Sequence, residues 1–115
     1  MTSRKNGLLI SSGKIKRDKP LETYREAVCQ AASNALVAAQ NKLQQGEIIV
    51  QILQLMVYVN AEAGFDLHSQ LADFASEYLC GELGEAGIAA RTALGIDSLP
   101  SEAPVEIQII CAVGL

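Results

Sequence analysis

Residues 48–59 read Ile-Ile-Val-Gln-Ile-Leu-Gln-Leu-Met-Val-Tyr-Val, with Gln51 and Gln54 the only interruptions of an otherwise apolar run. The run is too short to span a bilayer as a helix, which takes about 20 apolar residues. Its Ile and Val content instead favours a central strand buried on much of both faces. A strand of that kind has to be covered by helices and continued by neighbouring strands, and the rest of the chain must provide them.

The periodicity predicts two helices. Tyr24, Val28, Ala31, Ala35, Ala39 and Leu43 recur at helical spacing over Tyr24–Gln45, Thr23 and Glu26 have the spacing of a capping box, and Gly46 stands where a C-terminal cap belongs. A second helix is expected over Leu67–Leu83, with Asp66 as its N-cap, an inward stripe of Leu67, Leu71, Phe74 and Tyr78, and Gly84 and Gly87 breaking it. Residues 7–12 and 14–17 read as short opening strands. Residues 90–96 and 104–113 read as strands flanking the turn formers of Asp97–Glu102, and an antiparallel hairpin centred near Ser98 and Leu99 is their simplest connection. The expected architecture is α+β: one domain over residues 1–115, in which a mixed sheet carries both helices on one face. The other face is then left to be covered. With only 5 aromatic residues and no Trp in the chain, part of the stability is expected to come from self-association.

Several function classes are disfavoured at this point. A formal charge of −4 works against a broad phosphate-binding surface. Lys14, Lys16, Arg17 and Lys19 form the one dense basic run, without interleaved aromatics, and read first as a solvated turn. Cys29, Cys80 and Cys111 are odd in number and widely spaced, which suggests small buried hydrophobes rather than disulfides or a CxxC metal site. With His68 as the single histidine, expected on the surface near a helix start, no metal site is anticipated. The first six residues lack the apolar core of a signal peptide, so a cytosolic protein is expected, with no membrane segment.

Arg91 and Glu106 carry the chemistry. In the expected hairpin they are equidistant from the turn and face each other on one side of the sheet. One reading is a cross-strand ion pair contributing about 0.2 to 1 kcal/mol. The other is a guanidinium fork that holds a substrate carboxylate bidentately, with Glu106 acting as general base or positioning a water. Spacing does not choose between them.

The block Ala90-Arg91, Leu99-Pro100, Val105-Glu106-Ile107, together with Gly7–Ile15 ending in Ser12-Gly13-Lys14-Ile15, resembles the RidA/YjgF family of reactive intermediate deaminases, also known as endoribonuclease L-PSP proteins. The segment Leu83-Gly84-Glu85-Ala86-Gly87 before Arg91 is similar to a side branch of that family. The resemblance covers most of the chain and implies a chorismate-mutase-like fold, a homotrimer with ligand clefts between subunits, and no cofactor. It implies that Arg91 pairs with the carboxylate of a small 2-imino or enamino acid, that Ala93 adds its backbone N–H, and that Ser12 and Gly13 line the cleft. Glu106 would orient the water that attacks the imine carbon, giving a 2-oxo acid and ammonia. Placing water beside an already electrophilic imine supplies most of such a catalysis.

Three departures from the family pattern bear on that activity. The family's lid tyrosine lies upstream of the first strand, and only six residues precede Gly7 here, so the lid is expected to be missing or built differently. Asp73 stands where many members have Asn, and its charge would repel an anionic substrate if it points into the cleft. Lys14 replaces the usual Gln. Two functions are therefore carried forward: a hydrolytic deaminase, with Arg91 and Glu106 in an open cleft and few partners of their own, and a non-hydrolytic binding or regulatory trimer, with Arg91 already satisfied by Glu106 or Asp73. Ribonuclease activity is disfavoured by the acidic balance and by the lack of a catalytic His pair.

Overall fold

A computed structural model describes all 115 residues. The chain runs β1 (Arg4–Lys5), β2 (Leu8–Leu9), α1 (Arg25–Gln40), β3 (Ile48–Asn60), α2 (His68–Leu83), β4 (Ala90–Ile96) and β5 (Val105–Gly114), with short 3-10 turns at Leu21–Tyr24, Gly84–Gly87 and Pro100–Glu102. The 48–59 run is the central strand of a three-stranded mixed sheet in the order β4-β3-β5, parallel to β4 and antiparallel to β5. Both helices pack on one face, where Leu55, Val57, Val59, Val105 and Ile107 of the sheet join the core. The expected α+β class is the observed one.

The expected hairpin is not. β4 and β5 are both present, but β3 lies between them, pairing Arg91 with Leu55 and Glu106 with Tyr58. A short turn after β4 would permit a hairpin, yet β3 is apolar along its length and gains more from two strand neighbours than from one. β4 takes its place through the crossover that α2 provides between two parallel strands.

β3 is covered on one face only. Ile52, Leu55, Val57 and Val59 are buried, whereas Val50 and Leu53 remain 51% exposed. Two register irregularities against β5, between Ile49 and Gln51 and between Ile52 and Gln54, accommodate the break in alternation. The opening segment also differs from expectation. β1 and β2 form a two-residue ladder of their own around Asn6 and Gly7, both at positive φ, and residues 14–17 add only an Ile15–Ala61 bridge. The chain start instead lies along β5: Thr2 bridges to Glu106, and Met1 and Ile107 exchange two hydrogen bonds of 2.6 and 2.8 Å.

α1 buries Ala27, Val28, Ala31, Ala32, Ala35 and Leu36, a stripe of mostly small side chains that lets it lie close to the sheet and to α2. It ends at Gln40 rather than Gln45, and no Thr23 side-chain cap forms, because a 3-10 turn precedes the helix and Tyr24 takes the N-cap position. Gly46, at φ +84°, turns the chain into β3 instead of capping the helix. In α2, Leu67 rather than Asp66 is the N-cap residue, and the inward stripe is Leu71, Ala72, Phe74, Ala75 and Leu79. Arg25 ties the two helices together by stacking 4.2 Å from the Phe74 ring centroid and by pairing with Glu77 at 3.3 Å. The three cysteines are free and half-buried rather than fully buried, and burial pushes the Cys29 thiol above its ordinary range.

Gly87 is required by close approach. A Cβ there would collide with the Leu79 carbonyl at the end of α2. Gly87→Ala is expected to destabilise by about 1 to 3 kcal/mol in urea unfolding. Gly81→Ala, with nothing within 4 Å on a helix surface, should be neutral or stabilise by up to about 1 kcal/mol. Equal effects of the two would remove the steric account.

Candidate functional site

Alternation along β4 decides where Arg91 goes. Arg91, Ala93 and Gly95 pair with Leu55, Val57 and Val59, whose side chains are buried under the helices, so Arg91 also rises toward the helix layer. There it meets Ser69, Asp73 and Ser76 of α2, spaced i, i+4, i+7 and hence on one helix face. Arg91 Nη1 donates to Asp73 Oδ1 at 2.7 Å and to Ser76 Oγ at 3.1 Å. Nη2 donates to Ser69 Oγ at 2.9 Å and to the Ser69 carbonyl at 3.3 Å. All four terminal N–H groups are engaged within the chain. The guanidinium side chain is 23% exposed and the Asp73 carboxylate 54%. A carboxylate that sought this fork would meet a negative charge already on it.

Glu106 does not face Arg91. Val105 and Ile107 on either side are buried toward the helices, so Glu106 points from the other face of the sheet, in a row with Tyr58 and Leu94. It is half-buried beside the Met1 amino group, where burial lowers the amine pKa and the Glu106 charge opposes that shift. Glu106 borders two clefts at the β5 edge, of about 450 and 340 Å3, the larger one walled by Ala35, Ala38 and Ala39 of α1. The sequence expectation of a facing pair is therefore corrected: a one-residue alternation and an intervening strand separate the two groups.

Ser12 and Gly13 come together in a third place, a pocket of about 180 Å3 beside the start of α1. Gly13, at φ +97°, donates its N–H to the Glu102 carbonyl at 2.6 Å. Lys14 next to it is neither free in solvent nor near Arg91, since its Nζ bridges Asn60 Oδ1 at 2.8 Å and the Asp97 carbonyl at 2.6 Å. Because Asn60 pairs with Ile96 at the far end of β4, the length of that strand separates this turn from Arg91. Ala93 stays close to Arg91, two residues on along the same face. Within one chain the site residues thus fall into three groups: Arg91 with Ala93, Glu106, and Ser12 with Gly13.

Asn60, Ser69 and Ser76 were not singled out from sequence. The i, i+4, i+7 spacing of Ser69, Asp73 and Ser76 is a legible polar stripe once α2 is drawn. Asn60 has no such signal. It is fully buried, accepts from Lys14, donates to the Ala103 carbonyl at 3.1 Å, and through its backbone joins Ile15 and Pro104.

No family model and no curated protein matches this chain in sequence. Solved structures do match it in shape. The Agrobacterium tumefaciens protein Atu1372, of unknown function, superposes with a TM-score of 0.86 at 28% identity, over 99% of this chain and 73% of that one. A Shewanella oneidensis MR-1 protein proposed to be an endoribonuclease gives 0.81 at 24% identity, over 96% and 73%. The chain has the RidA/YjgF fold. In this chain that fold carries an arginine clamped by its own second helix.

Arg91→Lys keeps the charge but loses the planar fork that serves Asp73, Ser69 and Ser76 together. It should lower stability by about 1 kcal/mol, given the partial exposure of the cluster. Urea unfolding of the variant measures this, and an unchanged midpoint would show that the cluster does not hold α2 to β4.

Proposed function

We propose that this chain is a RidA/YjgF-family protein that assembles through its bare sheet face and acts as a non-hydrolytic binding or regulatory trimer. The observation that carries this reading is the occupation of Arg91 by Asp73, Ser69 and Ser76. Hydrolysis of a 2-imino acid needs an arginine fork open to the substrate carboxylate and a carboxylate base near the imine carbon. Here the fork is filled, and Glu106 is on the opposite face of the sheet.

The deaminase reading implied by the sequence resemblance would need two things at once. Arg91 of one copy and Glu106 of another would have to meet across a subunit boundary, and Asp73 would have to swing away from Arg91. The first is compatible with clefts between subunits. The second costs a charge-assisted bond and leaves an anion beside the incoming anionic substrate.

The helix-free sheet face supports assembly. Its rows are Gln54–Ala90–Ile110, Met56–Thr92–Gln108 and Tyr58–Leu94–Glu106, and Leu94 and Ile110 are 48% and 45% exposed. Apolar surface of this kind on a short chain favours burial against further copies. Three unpaired cysteines go with a cytosolic setting. No helix is long and apolar enough to cross a membrane.

The deciding assay is ammonia release from freshly generated 2-iminobutanoate, with wild type beside Arg91→Ala and Glu106→Gln at matched folding. No acceleration by wild type is expected; acceleration that both substitutions abolish would establish the deaminase instead. Light scattering should give three times the chain mass, and Leu94→Glu with Ile110→Glu should reduce it to that of one chain. A wild-type monomer would remove the assembly.

A further inference from the structure

The basic run that reads as a solvated turn is only partly that. Arg17 leaves it and lies over Gly64, with its backbone N–H donating to Glu62 Oε1 at 2.5 Å. Lys14, Lys16 and Lys19 instead line the 180 Å3 pocket together with Ser11, Ser12, Thr23 and Tyr24. None of the three lysines is in an ion pair, and no acidic side chain lines the pocket. The phenol oxygen of Tyr24 accepts the Lys16 backbone N–H at 2.8 Å, which leaves its own proton to donate. The Lys14 ammonium is already taken by Asn60 and the Asp97 carbonyl, neither of which lines the pocket, so Lys16 and Lys19 supply the uncommitted positive charge.

We propose that this pocket binds the phosphate group of a compact phosphorylated metabolite. The uncommitted ammonium groups of Lys16 and Lys19, with the hydroxyl-bearing side chains of Ser11, Ser12, Thr23 and Tyr24, offer several donors to match the several oxygens of a tetrahedral dianion. A planar carboxylate would be better served by an arginine fork, and the pocket contains none. The volume admits a phosphate with a small substituent, and no exposed aromatic pair offers a base-stacking platform of the kind single-stranded RNA uses. The site does not depend on Arg91 or Glu106.

Amide NMR of the intact protein at constant ionic strength tests it, with inorganic phosphate and glycerol phosphate as separate probes and chloride as the reference. Saturable shifts confined to residues 11–24 are expected with both phosphates if the group alone is recognised, and with glycerol phosphate more strongly if the substituent is recognised as well. Lys16→Ala with Lys19→Ala should weaken binding at least tenfold, whereas Lys42→Ala should not change it. Shifts that follow ionic strength without saturating, or that survive the double substitution, would overturn the proposal. So would tighter binding of a single-stranded RNA oligonucleotide that spreads beyond the pocket, because it would reassign the lysines to a nucleic-acid surface.

Discussion

The position of β3 between β4 and β5 is the constraint from which the rest follows. An apolar strand of 13 residues in a chain this small has to be central. Once it is, the last two strands cannot pair with each other. α2 becomes the crossover between β3 and β4, and the turn after β4 must carry the chain past the end of β3 to reach its other side. Buried Asn60 sits at that passage and ties two segments to the strand end, taking a side-chain bond from Lys14, giving one to Ala103, and pairing its backbone with Ile15 and Pro104. Such a fully satisfied polar residue in the core is costly to disturb, since each bond lost leaves a desolvated group behind.

The same placement governs the chemistry. Register with β3 sends Arg91 toward α2, where a stripe of Ser69, Asp73 and Ser76 receives it. Register on the other side sends Glu106 to the bare face. A fold that separates these two groups within one copy can combine them only between copies, so the helix-free sheet face and the fate of the site are linked. Arg91 serves the monomer as a clamp between its second helix and edge strand. That role competes with holding a substrate.

Much of this was legible in the residues. The apolar run gave β3, the Ala and Leu periodicity gave α1, and the Gly84 and Gly87 pair marked the end of α2. Strand pairing was not legible, because the turn formers of Asp97–Glu102 fit a hairpin as well as they fit a longer passage around β3. Local propensity carries no information on which neighbour a strand chooses. The helix caps failed for a related reason: Thr23 and Asp66 are good capping residues, but each helix starts one residue later than expected, α1 after a 3-10 turn. Asp73 is legible as a charge out of place, but whether it repels a substrate, faces solvent or pairs with Arg91 depends on a side-chain direction that sequence does not contain.

The central claim is that Asp73 occupies the place a substrate carboxylate would take. Its most direct test is the binding of an unreactive 2-oxo acid such as 2-oxobutanoate, followed through the Arg91 guanidinium NMR resonance in wild type and in Asp73→Asn, which removes the charge and keeps the shape. The account predicts no shift of that resonance in wild type at millimolar ligand and a saturable shift in the variant. A saturable shift of equal affinity in both would contradict it, because the carboxylate would then be reaching Arg91 regardless of Asp73.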